Sequence, residues 1–317
     1  MPRVGGEVAP RSGTGAPTLP TIAAFRGLDQ DAVIAAVAGA IDNQRIDLCL
    51  QPIVTLPQRK VRYYEAMSRL NAGNGEVVAA ADFLPYAEAG SLLPKLDGLC
   101  VLRCVQVVRR LLLKNRDIGL FCNLSVVTLT DAGFPQLLEL IEANRAIAPS
   151  LVFEFTQNAV RGMGPMEHES LAALAERGFR FSMDNLVDLR IEPRELTARG
   201  FRFVKAPAAL LLNRVGSAIT NIHPADFSDL LGRFGIDLIA DRIESESTVV
   251  DLLDYDVRFG QGFLFSPPRP VRAEALQGVA DPGTAEQARG GTGPAPAGSS
   301  LRSSGLAQLV RAASGRT

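Results

Sequence analysis

The chain contains few residues of the kinds that build histidine-based active sites or disulfide frameworks. Among its 317 residues there are no tryptophans, two histidines and four cysteines. His168 and His223 fall in segments with helix or loop patterns, so a zinc centre or a histidine-based hydrolase site is not expected. The cysteines occur in apolar segments without CxxC spacing, which favours buried, reduced thiols over disulfides or zinc ligands.

A charge excess and a long apolar run are also missing. The 33 basic and 34 acidic side chains give a formal net charge of −1, which does not favour general binding to nucleic acid or to a membrane surface. No apolar run approaches the roughly 20 residues that span a bilayer, and the N-terminus lacks the apolar core of a signal peptide. We therefore expect a cytoplasmic protein, with neither nucleic acid nor a membrane among its partners.

Composition predicts the limits of the folded part. Residues 1–20 are rich in Gly, Pro, Arg and Ser, and residues 278–317 contain too little apolar mass to offset the entropy of ordering. We expect both segments to be disordered tails. A short helix over residues 306–313 would offer a docking peptide, although the composition favours a frayed end.

Between the tails, short apolar runs alternate with helical patterns. The runs cover residues 48–54, 61–67, 118–125, 151–157, 179–185, 201–207, 236–243 and 260–265. Alternation of buried strands with helices is typical of an α/β fold with a parallel sheet. Eight strands favour a closed (β/α)8 barrel over a doubly wound sheet.

A polar side chain lies near the end of most of these runs, and at the start of the last one. The residues are Glu65, Asn123, Glu154, Asp184, Lys205, Asp241 and Gln261. In a parallel barrel such side chains meet at one face, where carboxylate and amide oxygens can bind a divalent metal ion. A shared site explains this placement better than seven independent surface residues.

A set of motifs gives the chain a resemblance to a known family. They are Gln51-Pro52-Ile53, Tyr64-Glu65-Ala66-Met67 with Arg69, Asp82-Phe83-Leu84-Pro85, Asn123-Leu124-Ser125, Glu154-Phe155-Thr156-Gln157, Asp184-Asn185, Lys205, Ile239-Ala240-Asp241 and Gln261-Gly262-Phe263-Leu264-Phe265. In order and spacing they resemble EAL domains, the bacterial cyclic-di-GMP phosphodiesterases of signal transduction. The resemblance covers roughly residues 28–275. It implies a TIM-like barrel whose first strand runs antiparallel to the rest.

The resemblance also implies roles for individual residues. The first metal ion, Mg²⁺ or Mn²⁺, would be bound by Glu65, Asn123, Glu154 and Asp184, and the second in part by the residue at 185. In an active enzyme the catalytic residues would be Lys205, Gln261 and Asp241, with the lysine orienting or deprotonating the attacking water. The cyclic-di-GMP groove would be lined by Gln51, the main chain around Met67, Arg69, Pro85 and Asp97.

Several positions depart from the family pattern, and they cluster around the second metal ion. Asn185 stands where the family has an aspartate, so the oxygen is kept but the charge is lost. Gln157 replaces a glutamate that holds the following loop, and residues 185–189 of that loop contain no glycine. Arg242 replaces a glycine and could either supply cationic charge or point to solvent. We therefore expect the second metal position to be weakened, so that the groove holds one ion in total or none. We also expect the loop after Asp184 to have lost its support.

Three functions remain open at this level. The preferred one is a receptor that binds cyclic-di-GMP with little or no hydrolysis and acts through a protein partner or as a homodimer. The alternatives are an active metal-dependent phosphodiesterase that produces linear pGpG, and a scaffold that binds no ligand.

Overall fold

The protein folds into a closed α/β barrel with helices packed around it. The structure, a computed structural model, describes residues 23–73, 75–114, 118–212 and 224–271, without the side chains of 224 and 225. Both predicted tails, 1–20 and 278–317, lie outside the described residues, as does His223.

The barrel is formed by eight of the ten strands in the described residues. These eight are β1 (Ile46–Thr55), β2 (Val61–Asn71), β4 (Gly119–Asn123), β5 (Leu151–Thr156), β6 (Arg180–Asp184), β7 (Phe201–Pro207), β8 (Asp237–Asp241) and β9 (Phe259–Gln261). Two short strands, β3 (Val77–Ala79) and β10 (Arg269–Pro270), extend the edges of β2 and β1. The sequence pattern missed these two because runs of three and two residues carry no periodicity.

Ten α-helices lie in the described part of the chain. They are α1 (Gln30–Asp42), α2 (Ala80–Ala89), α3 (Leu93–Leu113), α4 (Phe134–Glu142), α5 (Gln157–Gly162), α6 (Pro165–Glu176), α7 (Pro193–Ala198), α8 (Ala208–Leu212), α9 (Pro224–Arg233) and α10 (Glu246–Leu253). Three 3-10 helices, Ala23–Phe25, Val126–Thr130 and Arg145–Ser150, complete the set. Side chains cap several helices: the Asp29 carboxylate accepts from the N–H of Ala32 at the start of α1.

The predicted antiparallel first strand is confirmed. β1 pairs antiparallel with both β2 and β9, and these two pairings close the barrel. The remaining neighbours, from β2 through β4 to β9, are parallel. Parallel strands require crossover connections, and the helices between them supply these.

Glycine ends the connection before three of the parallel strands. Gly178, Gly200 and Gly235 have φ values of +88°, +95° and +69°, a region that a residue with a Cβ atom rarely adopts. Each follows a helix within a few residues, and the chain turns there into β6, β7 or β8. These glycines therefore fix where strands begin, as their position in the sequence predicts.

The interior of the barrel has an apolar floor. Buried side chains from six strands form it, with the partly buried Tyr63 of β2 packed against them: Ile53, Phe121, Val152, Phe203, Ile239 and Phe259. The rings of Tyr63, Phe121 and Phe203 stack edge to face with centroids 5.0 to 5.4 Å apart. Since side chains alternate along each strand, the next inward positions toward the strand ends lie directly above this floor.

A larger apolar cluster fills the space between the outer strand faces and the helices. All four cysteines are free and buried, as predicted, and Cys100, Cys104 and Cys122 belong to this cluster. No helix in the described ranges is long and apolar enough to cross a membrane.

Candidate metal and phosphodiester site

The barrel brings the predicted polar residues together above the aromatic floor. Glu154, Asp184 and Lys205 lie at or near the ends of their strands, and Gln261 ends β9 rather than starting an apolar run. Glu65 lies in the middle of β2, because this strand continues to Asn71 to pair with β3. The parallel pairing of β2 with β4 stops one residue after Glu65, so its side chain still lies at the barrel rim.

Lys205 is the centre of the site. Its side chain is 2% exposed, and its Nζ atom lies 2.9 Å from Oε2 of Glu65 and 2.7 Å from Oε1 of Glu154. The same ammonium group lies 5.7 Å from the centroid of the Phe121 ring below it. The lysine is therefore held between two carboxylates and the aromatic floor.

Amide and hydroxyl groups fix the two glutamates. Nε2 of Gln261 donates to Oε2 of Glu65 at 2.7 Å, and Nδ2 of Asn123 donates to Oε1 of the same carboxylate at 3.3 Å. Ser182 donates to Oε1 of Glu154 at 3.2 Å. These hydrogen bonds fix the orientation of the two carboxylates. Carboxylates held in this way are preorganised to bind a metal ion.

The acidic residues fit one divalent cation. One oxygen from each of Glu65, Glu154 and Asp184 lies within 4.8 Å of the others. Oδ1 of Asp241 and Oε1 of Gln261 are buried and have no hydrogen-bond partner among the described residues. Buried oxygens rarely stay unpaired, so a cation or an ordered water is expected beside them. Carboxylate oxygens are the ligands that Mg²⁺ and Mn²⁺ prefer.

The pKa values of these groups follow from burial and from the shortage of positive charge. Burial raises the pKa of Glu154 well above its ordinary value and that of Asp241 to about 6, and also raises that of Asp184. For Glu65 burial acts upward too, but Lys205 and the hydrogen bonds outweigh it and the pKa is lowered. Burial would lower the pKa of Lys205, yet its carboxylate neighbours hold it well above its usual range. The lysine is therefore a charged hydrogen-bond donor here. A bound cation would favour the ionised forms of Glu154, Asp184 and Asp241.

Asn185 and Arg242 form the altered corner of the site. Asn185 has φ +52° and is exposed, and its Oδ1 accepts a hydrogen bond from Nη2 of Arg242 at 3.2 Å. Nε of the same guanidinium lies 3.3 Å from Oδ2 of Asp241. The arginine thus contacts both residues while its side chain remains 66% exposed.

The expectation that the loop after Asp184 has lost its support is wrong. Gln157 is fully buried, and its Oε1 accepts from the N–H groups of Val187 and Asp188 at 2.8 and 3.4 Å. Its Nε2 donates to the carbonyl of Asp188 at 2.9 Å. An amide has both acceptor and donor, so it satisfies the N–H groups and a carbonyl. Nor is a glycine needed for positive φ, because Asn185 adopts it itself.

A second support of this loop was missed by sequence reasoning. The carboxylate of Asp188 forms ion pairs with Arg161 at 2.5 Å and with Arg190 at 3.0 Å. Nη2 of Arg161 also donates to the carbonyl of Arg190 at 2.7 Å. These side chains, together with Ser182, carry no motif signal, since only the folded barrel brings α5 and the loop after β6 together.

The predicted groove residues differ in how available they are. Arg69 is half-buried, donates to the carbonyl of Ser68 at 2.9 Å and forms no salt bridge with any described acid. Met67 is half-buried in β2, and Pro85 is exposed on α2. Gln51 is buried, donating to the carbonyl of Ser266 at 3.2 Å and accepting from Gln261 at 3.1 Å.

Asp97 is buried as well. Its Oδ2 accepts from the N–H of Ser125 at 2.8 Å and from the hydroxyl of Thr128 at 2.5 Å. Asp97 therefore supports the loop that follows Asn123, and burial raises its pKa to about 6. Contacts of Gln51, Met67, Arg69, Pro85 and Asp97 with a ligand stay predictions.

A closed α/β barrel with one antiparallel strand and an acidic cluster at its rim is the architecture that the motifs imply. The family model described as "EAL domain" matches residues 34–268. The chain therefore belongs to the EAL domain family.

Relatives and solved structures agree with this assignment. The cyclic di-GMP phosphodiesterase PdeF of Escherichia coli is 22% identical over 244 residues, which are 77% of this chain and 32% of the relative. PdeB of Shewanella oneidensis, also named a cyclic di-GMP phosphodiesterase, is 25% identical over 258 residues, 76% of this chain and 28% of the relative. The chain spans about a third of the length of these two relatives.

Two solved structures share the fold. The EAL domain of Xanthomonas citri FimX in complex with c-diGMP has a TM-score of 0.64 at 18% identity, covering 76% of this chain and 95% of that one. The PaMucR phosphodiesterase in its c-di-GMP complex has a TM-score of 0.65 at 21% identity, covering 77% and 99%. At these identities the likeness describes the fold alone.

Proposed function

We propose that this EAL domain binds cyclic-di-GMP as a signalling receptor and hydrolyses it slowly or not at all. The observation that supports the proposal is a group of three acids that could hold one metal ion, beside a corner without the acid expected for a second ion. Glu65, Glu154 and Asp184 offer oxygens within 4.8 Å of one another, while position 185 offers only a neutral amide.

Loss of the second charge affects hydrolysis more than binding. Two cations about 4 Å apart activate the attacking water and neutralise the charge that develops on the phosphoryl oxygens. One cation still attracts a phosphodiester, and the half-buried guanidinium of Arg69, which pairs with no described acid, offers paired donors to a phosphate or a guanine edge. Recognition therefore survives a change that slows turnover.

A slow phosphodiesterase is the second candidate, and specific contacts favour it. Lys205 is charged and held between Glu65 and Glu154, and Gln157 still supports the loop that carries Asn185. In this candidate the oxygen of Asn185 would have to leave Arg242 and ligate a second ion weakly, and the product pGpG would form at a reduced rate. No contact among the described residues specifically supports a scaffold that binds no ligand.

Calorimetry and product analysis on the same preparation separate the candidates. Cyclic-di-GMP is titrated into the protein with Mg²⁺ or Ca²⁺, and a parallel incubation with Mn²⁺ is followed for pGpG by chromatography. We expect binding, loss of the metal-dependent part of the affinity in Glu65→Gln, and no such loss in the control Glu139→Gln, an exposed residue of α4.

Two outcomes would contradict the receptor. If no binding is seen at high micromolar ligand, the scaffold that binds no ligand becomes the favoured function. Efficient pGpG formation that disappears in Glu65→Gln would establish an enzyme.

We further propose that the protein acts in the cytoplasm, where its four free thiols stay reduced, and that it signals through a protein partner or as a homodimer.

A further inference from the structure

The residues at the second metal position do not fit a second metal ion. Asn185 contributes no negative charge, and its Oδ1 already accepts from Nη2 of Arg242 at 3.2 Å. Oδ2 of Asp241, the nearest acid on β8, lies 3.3 Å from Nε of the same guanidinium. The guanidinium of Arg242 therefore contacts both the oxygen of Asn185 and the neighbouring carboxylate of Asp241. A metal ion bound to the Asn185 oxygen would lie close to this guanidinium, and the two positive charges would repel each other.

The main chain holds Arg242 in this position. The residue has φ +56°, which an arginine rarely adopts. The next residue is tied on both sides: the N–H of Ile243 donates to the carbonyl of Gln261 at 3.0 Å, and its carbonyl accepts from the N–H of Leu264 at 3.1 Å. Since Gln261 is itself bonded to Glu65, the backbone of Arg242 is fixed relative to the acidic site. The uncommon conformation thus places the guanidinium beside the site.

Asn185 is held with similar precision from the other side. Gln157 bonds the main chain of Val187 and Asp188, and the ion pairs of Asp188 with Arg161 and Arg190 secure the end of the loop. Neither support depends on a metal ion. The contact between Asn185 and Arg242 is therefore formed by two independently fixed backbones.

We propose that the guanidinium of Arg242 takes the place of the second metal ion and binds one phosphate of the ligand directly. The inference rests on the proposed binding of cyclic-di-GMP. The side chain is 66% exposed, and its Nη1 makes no hydrogen bond to any described residue, so donors remain for a phosphate oxygen. A guanidinium offers charge and paired donors to phosphate, but it cannot activate water as a metal ion does. We therefore expect the binding of cyclic-di-GMP to depend less on divalent metal ions.

The experiment measures cyclic-di-GMP affinity by calorimetry in EDTA and in Mn²⁺, for the wild type and for variants at position 242. Arg242→Gly removes the charge and suits the positive φ, while Arg242→Gln keeps most of the side chain without the charge. We expect wild-type binding to persist in EDTA, and both variants to lose about tenfold or more in affinity there, as removal of a charge-assisted phosphate contact predicts. Arg233→Ala, an exposed arginine on α9, is the matched control and should bind like wild type. Thermal melting verifies that each variant is folded.

Metal stoichiometry provides a readout that needs no ligand. Titration with Mn²⁺ monitored by electron paramagnetic resonance should give one bound ion for the wild type and two for the Asn185→Asp, Arg242→Gly double variant. Two ions in the wild type, or unchanged affinity of both Arg242 variants in EDTA, would overturn the inference. If the wild type binds no cyclic-di-GMP in any buffer, the proposed function fails instead, and the Mn²⁺ count still decides whether Arg242 excludes the second ion.

Discussion

Replacement of Lys205 by methionine tests whether the site is built around a buried cation. The ammonium group lies 2.9 Å from Glu65 and 2.7 Å from Glu154, and the side chains of Lys205 and Glu154 are 2% and 0% exposed. Methionine has similar length and flexibility but no charge. Lys205→Met therefore leaves the carboxylates in place with no counterion and little water to solvate them.

The expected cost follows from the burial of the pair. Removing one partner of a buried ion pair destabilises a protein by about 3–5 kcal/mol, because the remaining charge is uncompensated. A typical domain has an unfolding free energy of about 5–15 kcal/mol, so the variant should still fold. The loss should shrink at lower pH, because the pKa of Glu154 is already raised and the native variant takes up protons that the unfolded chain does not.

The assay is urea unfolding followed by circular dichroism, at neutral and mildly acidic pH, in EDTA and in Mn²⁺. Mn²⁺ should restore much of the stability, since an ion at one hundred times its Kd contributes about 2.7 kcal/mol to the native state. Adding Glu154→Gln to Lys205→Met should recover part of the loss by removing the unpaired charge. Lys95→Met serves as the control, because Lys95 is 65% exposed and a surface change should stay within about 0.5 kcal/mol.

Two results would refute this reasoning. If Lys205→Met unfolds at the same urea concentration as the wild type in EDTA, the lysine does not compensate the acids. If the double variant is less stable than Lys205→Met alone, the loss comes from packing rather than from an unpaired carboxylate.

Two further predictions concern the supports of the site. Asp97 has a pKa of about 6 in the folded protein against an ordinary 3.8, so the native state holds a proton that the unfolded chain has released, and wild-type stability should fall by about 3 kcal/mol as pH rises between these values. Asp97→Asn should abolish that part of the pH dependence in urea titrations, and an unchanged profile would contradict it. A Cβ atom at Gly262 would lie 2.0 Å from the carbonyl oxygen of Ile243, so Gly262→Ala should lower the unfolding free energy by about 3 kcal/mol. At Gly232 in α9 an added methyl group would meet no described atom within 4 Å outside its chain neighbours and its own helix backbone. Gly232→Ala should therefore leave the unfolding free energy unchanged or raise it by about 0.5–1 kcal/mol. Equal losses in the two variants would refute the steric argument.

The sequence was sufficient for the strands and for the polar side chains that the barrel brings near one another at its rim. The apolar runs overlap all eight barrel strands, because a strand buried on both faces is apolar until it reaches the rim. A polar residue lies near the end of six of these runs, whereas the run 48–54 has none there and Gln261 starts its run. Motif order identified the family and with it the antiparallel β1, which periodicity alone does not encode. Helices as short as α5, α7 and α8 were not predicted, since one or two turns give no reliable period.

The contacts within the site were decided by the tertiary structure. Lys205 reaches Glu65 across 140 positions of sequence, and such pairs exist only after β1 has closed the barrel. The support given by Gln157 was misjudged because its residue type was compared with a glutamate, whereas the loop needs an acceptor for two N–H groups and a donor for one carbonyl. The sequence by itself determined which oxygens and cations meet at the rim. Only the fold decided that Arg242 contacts Asn185, because the two residues lie 57 positions apart in the sequence and meet only when the barrel brings their loops together.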